Sequence, residues 1–476
     1  MLYSQLIEKH LNDCGPAVTD LKNEYSYANL HQMVQNLQNE LYHRKTEKGD
    51  TVLIINHNTI QTVISILTCI SLHICYVIVP EECKDDALKY IIFDAKPKLL
   101  IDTNKEFSIT ETGLENGENR EKLTYIIYTS GSTGYPKGVM ASEKNVCFCI
   151  EAINQRLMNG KNDRLLCCLP LSFDYGMYQL FLALTYGALL VVPYKPYLQE
   201  IPRLLKDMDI TAFPAMPAML SQLLYTKLLT KVQLPNLRYI TSTGDNFPVP
   251  LIREIKETCP AAHIIPMYGQ TECKRVSIMP FGCEEKVLAG SCGIPLNGTK
   301  VWIDDPDENG IGELIVCGPN VMQGYLNVDK EASGYFFINS EQERCLRTGD
   351  LFRMDEDGYL YFISRKRRII KINGIRVGSP ELEQIFSENI RVPYNEIRVM
   401  GIPDRLSGEK ILICVSSAES EENITAEIRR ISKLLPKYQT PSFCYTQAEE
   451  FPRNINGKTD DKALMAKTIK NGLITL

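Results

Sequence analysis

The sequence has no uninterrupted apolar run long enough to cross a bilayer, because its longest apolar stretch, near residues 63–79, is broken by Thr68, Ser71 and His73. The opening, MLYSQLIEKHLNDCG, lacks a basic segment followed by an apolar one, so neither a secretory leader nor a membrane partner is expected. A soluble, cytoplasmic protein is the resulting expectation. Excess positive charge is missing too: 52 basic residues against 58 acidic ones leave a net charge of -6. No broad cationic face can follow from this mixture, which argues against a nucleic-acid partner. The 16 cysteines include no CxxC pair. The six histidines, His10, His31, His43, His57, His73 and His263, never stand at metal-ligand spacing, so no structural zinc site is expected. The cysteines are scattered and several lie in apolar runs, as Cys167 and Cys168 do in 165–169, which predicts reduced, buried thiols. Internal repeats and low-complexity segments are also lacking, and residues 104–122 are polar enough to predict a loose excursion.

What is present is a chain of 476 residues, 44% of them hydrophobic, sufficient for a substantial core. Its length corresponds to roughly three average domains. Strand-like runs at 51–56, 74–79 and 98–101 alternate with helix-like stretches from Thr59 and Asp85. The alternation recurs around 165–169, 188–192, 212–214, 239–242 and 263–266, which predicts a large multi-layer α/β unit with parallel sheet. From about residue 290 to 364, short strands and turns predict an antiparallel β subdomain within an N-terminal core of residues 1–364. The basic cluster Arg365-Lys-Arg-Arg then opens a smaller α+β C-terminal domain, residues 365–476.

The strongest local signal is Tyr125-Ile-Ile-Tyr-Thr-Ser-Gly-Ser-Thr-Gly-Tyr-Pro-Lys-Gly-Val-Met140, an apolar strand leading into hydroxyls, glycines and a lysine. Such a loop suits phosphate: Gly131, Gly134 and Gly138 admit close backbone approach, Thr129, Ser130, Ser132 and Thr133 donate hydrogen bonds, and Lys137 brings charge. The GxxxxGK[ST] order of a Walker loop is absent.

The segment resembles the phosphate loop of the acyl-adenylate-forming superfamily, which includes acyl- and aryl-CoA synthetases, luciferases and the adenylation domains of peptide synthetases. Further matches follow in the family's order: Met267-Tyr-Gly-Gln-Thr-Glu272, Gly312-Glu-Leu, Arg347-Thr-Gly-Asp350, Ser364-Arg-Lys-Arg-Arg-Ile-Ile-Lys371 with Gly374, and Asn456-Gly-Lys458. The resemblance implies ATP and Mg²⁺ as cofactors and assigns roles. Tyr268 would flank adenine, with Gly244, Asp245 and Gly269 among the nucleotide contacts. Thr271 would touch the α-phosphate and Glu272 would hold the metal. Asp350, with its two acceptor oxygens, would bind the ribose hydroxyls together with Arg365. Lys458 would be the catalytic lysine, bridging the substrate carboxylate and the α-phosphate. The resemblance further implies a mobile C-terminal domain that rotates between adenylation and thioester formation. Its hinge would fall at Arg367, where relatives usually carry Asp or Lys, and Gly374 would face the pantetheine tunnel.

Around Pro170-Leu-Ser-Phe-Asp-Tyr-Gly176 the family builds its acyl pocket, and Asp174 occupies the position that holds an ammonium in amino-acid-activating members. Capping of a helix beginning near Tyr175 is the alternative use of Asp174. After Glu272 come Lys274 and Arg275, the latter aligned with a pocket-lining position where a guanidinium would grip a second carboxylate. Alternatively, one or both point to solvent or pair with a nearby acid. Tyr178, Pro214, Thr241, Ser242, Thr243 and Met267 complete the implied lining. Together these resemble stand-alone adenylation enzymes for aspartate-like or β-amino acids. The tail, Leu435-Pro-Lys-Tyr with the Asn456-Gly-Lys ending, is similar to peptide-synthetase endings, so a separate pantetheinylated carrier protein is the expected acceptor. A CoA ligase for an acyl, aryl or dicarboxylic acid is the rival within the same chemistry. A catalytically silent scaffold is the rival outside it, disfavoured because Lys137, Glu272, Asp350 and Lys458 are all present.

Overall fold

Strands rich in Val, Ile and Leu that are buried along nearly their whole length require cover on both faces, as parallel sheets flanked by helices provide. Thr51–Asn56 and Cys75–Pro80 are of this kind. The computed structural model describes residues 2–83, 85–104, 107–114, 120–129, 136–244, 247–328, 334–372, 375–404, 407–453 and 459–476, without the side chains at 85, 367, 369, 371, 375 and 376. Packing divides the chain into two units, Met1–Val301 with Val316–Arg347, and Trp302–Ile315 with Thr348–Leu476. The boundary expected at residue 365 is taken up as a proposal below.

The first unit holds two α/β sheets. In one, Leu99–Asp102, Thr51–Asn56, Cys75–Pro80 and Tyr125–Thr129 run parallel, with Lys137–Ala141 added antiparallel at one edge. The other has a parallel centre of Pro16–Thr19, Leu189–Val191, Arg164–Leu166, Ala212–Pro214, Tyr239–Ser242 and His263–Tyr268. Helix Ile60–Ser71 is buried on nearly every side and starts at Thr59, whose hydroxyl caps the Thr62 amide. Helix Glu143–Leu157 starts in the same way at Ser142, with Asn145 reciprocating.

Two expectations need correction. Residues 108–111 are not a loose excursion: Ser108–Glu111 pairs antiparallel with Leu99–Asp102 as an edge strand. An edge strand contributes few buried side chains, so its polar alternation conceals it. The cysteines are not all reduced, because Cys317 and Cys345, both in the first unit, form a disulfide. Fourteen others are free thiols.

The second unit packs Ser379–Asn389 and Glu421–Ser432 against a sheet that includes Glu396–Asp404, Gly408–Ser416 and Phe443–Gln447. Its core gathers Ile370, Leu382, Phe386, Ile413, Ile424 and Ile428. No helix among the described residues is long and apolar enough to cross a membrane.

Candidate active site

In open α/β sheets, ligands bind beyond the carboxyl ends of the parallel strands, because the connecting loops there supply adaptable polar groups. Pro214, Thr241, Ser242 and Met267 all lie at the ends of such strands, with Pro214 opposite Thr241 and Ser242 opposite Pro266. The three hydroxyls that follow have partners within the protein. Thr241 meets the Tyr175 hydroxyl at 2.7 Å, Ser242 donates to the Ala215 carbonyl at 2.9 Å, and Thr243 accepts from Arg275 Nη1 at 2.8 Å. Their hydroxyls are thus engaged within the protein.

Asp174 is the first residue of helix Asp174–Tyr186, but its side chain does not cap that helix; Phe173 stands at the cap position without a side-chain bond. The carboxylate is buried and faces Lys274, with Nζ 3.4 Å from Oδ2. Lys274 makes its shorter bond, 2.7 Å, to the Asp174 main-chain carbonyl, and its ammonium lies 4.2 Å from the centre of the Tyr178 ring. Its side chain is 1% exposed. Burial pulls its pKa down to about 8, opposed by the attraction of Asp174. The expectation that Lys274 pairs with a nearby acid thus describes its resting contact.

Arg275 differs. Its guanidinium is buried over the Tyr175 ring at 5.3 Å and binds Thr243, yet its Nε has no hydrogen-bond partner and no carboxylate pairs with it among the described residues. Burial of the guanidinium lowers its pKa, opposed by the attraction of Tyr175 and of the Asp174 carboxylate, which lies beyond ion-pair distance.

A tight turn places both cations. A Cβ on Gly269 would lie 2.0 Å from the Lys274 carbonyl oxygen, so the chain closes on itself only because Gly269 has none. Lys274 itself adopts a left-handed φ of 51°. Such backbone costs on the order of 1–3 kcal/mol and persists only where the surroundings over-determine it. Asn320 does so here: fully buried, it donates at 3.1 Å to the carbonyls of both Cys273 and Arg275. Replacing Asn320 by alanine strands both acceptors and is expected to lower stability by about 2–3 kcal/mol, checked by denaturant unfolding.

Of the residues expected to bind nucleotide, Ser130, Gly131, Ser132, Thr133, Gly134 and Asp245 lie outside the described residues. Thr129 and Lys137 face each other across antiparallel strands. A Cβ at Gly138 would lie 2.8 Å from the Ile126 side chain, so packing requires glycine there. Gly244 takes a left-handed φ of 94°. Tyr268 ends its strand, and Thr271 and Glu272 are partly exposed on the turn beyond it.

Sequence reasoning missed Tyr325, whose hydroxyl donates to Glu272 Oε1 at 2.7 Å while Lys137 Nζ stands 5.1 Å from its ring centre. Burial, then the nearby Glu272 carboxylate, push its ionisation far above the ordinary range, so the phenol remains a donor. The aromatic residue following Gly324 was the available signal. As a partly exposed carboxylate with a fixed orientation, Glu272 offers the hard oxygen donor that magnesium takes.

In the second unit, Asp350 and Arg365 sit directly opposite on adjacent strands, with Arg365 Nε 3.6 Å from Oδ1. Glu313 gains a concrete role here: it accepts from the Gly349 amide and pairs with Lys366, both at 3.0 Å. Arg367 lies in the short helix Lys366–Arg368. Gly374 and Lys458 lie outside the described residues.

With this geometry in place, the likeness to known proteins is informative. The family model "AMP-binding enzyme" matches residues 13–121 and 103–326, more than half of the chain. Bacitracin synthase 2 of Bacillus licheniformis is 28% identical over 469 residues, covering 93% of this chain but 18% of the synthase. The chain thus spans under a fifth of that relative's length. ATP-bound MatB from Rhodopseudomonas palustris superposes with a TM-score of 0.85 at 21% identity, covering 98% of each chain. The o-succinylbenzoate CoA synthetase MenE from Bacillus subtilis, in complex with its acyl-adenylate intermediate, gives a TM-score of 0.80 at 25% identity, over 96% of this chain and 95% of that one.

Proposed function

The chain belongs to the AMP-binding enzymes, adenylate-forming ligases that use ATP, and we propose that its acid is an amino acid with a second carboxylate, aspartate-like or a β-amino acid. The acceptor in this reading is the pantetheine thiol of a carrier protein. One observation carries it: Arg275 is buried without a carboxylate partner beside an Asp174–Lys274 pair. A substrate carboxylate would give that guanidinium the ion-pair partner it lacks, in two-pronged fashion. The Asp174 carboxylate, held by Lys274 only at 3.4 Å, keeps acceptor capacity for an ammonium.

The reaction then runs in two steps. The reacting carboxylate oxygen attacks the α-phosphorus, and the bond to pyrophosphate breaks. Thr129 to Gly134 and Lys137 would hold the phosphates, Thr271 the α-phosphate, Tyr268 the adenine, and Asp350 with Arg365 the ribose. Glu272 would hold magnesium, whose charge offsets that of the triphosphate. Lys458 would neutralise the charge growing at phosphorus. In the second step the thiol sulfur, losing its proton, attacks the acyl carbon and AMP leaves. A turn at Arg367 would bring the Gly374 segment to the pantetheine arm, consistent with a mobile domain from residue 365.

The resting Lys274–Asp174 contact favours a second reading, a dicarboxylic acid without an amino group joined to CoA, since the pair is already neutral. Pyrophosphate exchange with aspartate, β-amino acids, dicarboxylic acids and simple fatty or aryl acids separates the two. Exchange with amino-dicarboxylates supports the first, exchange with plain dicarboxylates only supports the second, and exchange confined to fatty or aryl acids removes both.

A further inference from the structure

We propose that Tyr325 is a positioning residue that couples the two charged groups of the nucleotide site, holding the Glu272 carboxylate through its hydroxyl and the Lys137 ammonium over its ring. The inference rests on the reading of this region as an ATP site.

The backbone around Tyr325 is tied to both groups it serves. Leu326 N donates to the Gly138 carbonyl at 2.7 Å, and Met140 N donates to the Gly324 carbonyl at 3.0 Å, so the strand that begins at Lys137 is stitched to this segment. On the other side, Met322 N donates to the Glu272 carbonyl at 2.9 Å. Tyr325 is 7% exposed, and Phe336 meets its ring edge-on at 5.2 Å, which leaves the ring little freedom to turn. Lys137 also stands 5.9 Å from the Tyr335 ring centre.

Two long side chains of opposite charge near a triphosphate would otherwise attract each other and close the space between them. Each has a separate anchor here. The phenol orients one carboxylate oxygen, and the ring face stabilises the ammonium through its quadrupole. One residue can thereby keep Glu272 and Lys137 in place before nucleotide arrives, lowering the ordering cost of binding.

The two anchors separate by substitution. Tyr325→Phe removes the hydroxyl and keeps the ring; Tyr325→Leu removes both. The full-length variants would be titrated calorimetrically with ATP in excess chelator and with ATP in excess magnesium. Tyr325→Phe is expected to bind metal-free ATP within about twofold of wild type and magnesium–ATP about tenfold more weakly, the scale of a hydrogen bond to a charged group. Tyr325→Leu is expected to weaken both forms, by about threefold for metal-free ATP. Tyr325→Phe conserves ring volume and carries the test by itself if the leucine variant does not fold. Wild-type behaviour of Tyr325→Phe with magnesium–ATP, or equal losses with both forms, overturns the coupling. A wild-type chain that binds neither form overturns instead the ATP-site reading on which the coupling depends.

Discussion

Replacing Lys458 by alanine is expected to slow adenylation by roughly 10²–10³-fold while leaving thioester formation from supplied adenylate within about twofold of wild type, the scale seen when one preorganised charge-stabilising group is removed. The asymmetry follows from where charge develops. During displacement of pyrophosphate, negative charge accumulates around the α-phosphorus, and an ammonium there acts without solvent reorganisation. During thiol attack the phosphate already leaves as AMP, and the lysine has no comparable task. Pyrophosphate exchange measures the first step, and synthetic acyl-adenylate with pantetheine measures the second. Equal loss in both would remove Lys458 from the role assigned to it.

Arg275→Ala is expected to raise KM for a substrate with a second carboxylate by about 30- to 1,000-fold, equivalent to about 2–4 kcal/mol, with a much smaller change for an isostere lacking that group. The guanidinium already lies buried, held by Thr243 and the Tyr175 ring, so its ordering precedes substrate binding. Removing it would leave a desolvated substrate carboxylate facing an apolar wall. Steady-state kinetics with both substrates checks this, and an unchanged KM would place Arg275 outside the acid's reach.

The parallel strands were legible because burial on both faces demands continuous apolar runs: Thr51–Asn56, Ala212–Pro214 and Tyr239–Ser242 occur with the expected limits. Helix Ile60–Ser71 was legible as a helix-like stretch from Thr59, which the structure shows to be its cap. Edge strand Ser108–Glu111 was not, since its residues are mostly exposed and polar. The same division holds in the site. Residues that take part in local motifs, such as Asp350 and Glu272, stand out in sequence. Partners that reach the site through tertiary packing do not. Tyr325 lies 53 positions from the carboxylate it binds, and Lys274 lies 100 from the Asp174 carbonyl it holds. Periodicity does not encode such distances. The contact between Lys274 and Asp174 also changes the electrostatic reading: charges that separately suggest a site for a zwitterion meet one another at rest, leaving Arg275 as the cation with no carboxylate at ion-pair distance among the described residues and an orphaned Nε.

The most direct test of this account is a single-turnover reaction of the enzyme with magnesium, ATP and aspartate, quenched in acid and read by mass spectrometry. The account predicts an aspartyl-adenylate with one pyrophosphate released per active site, diminished in the Arg275→Ala variant. Adenylates formed only from acids without a second carboxylate, or unchanged aspartyl-adenylate formation in that variant, would contradict it.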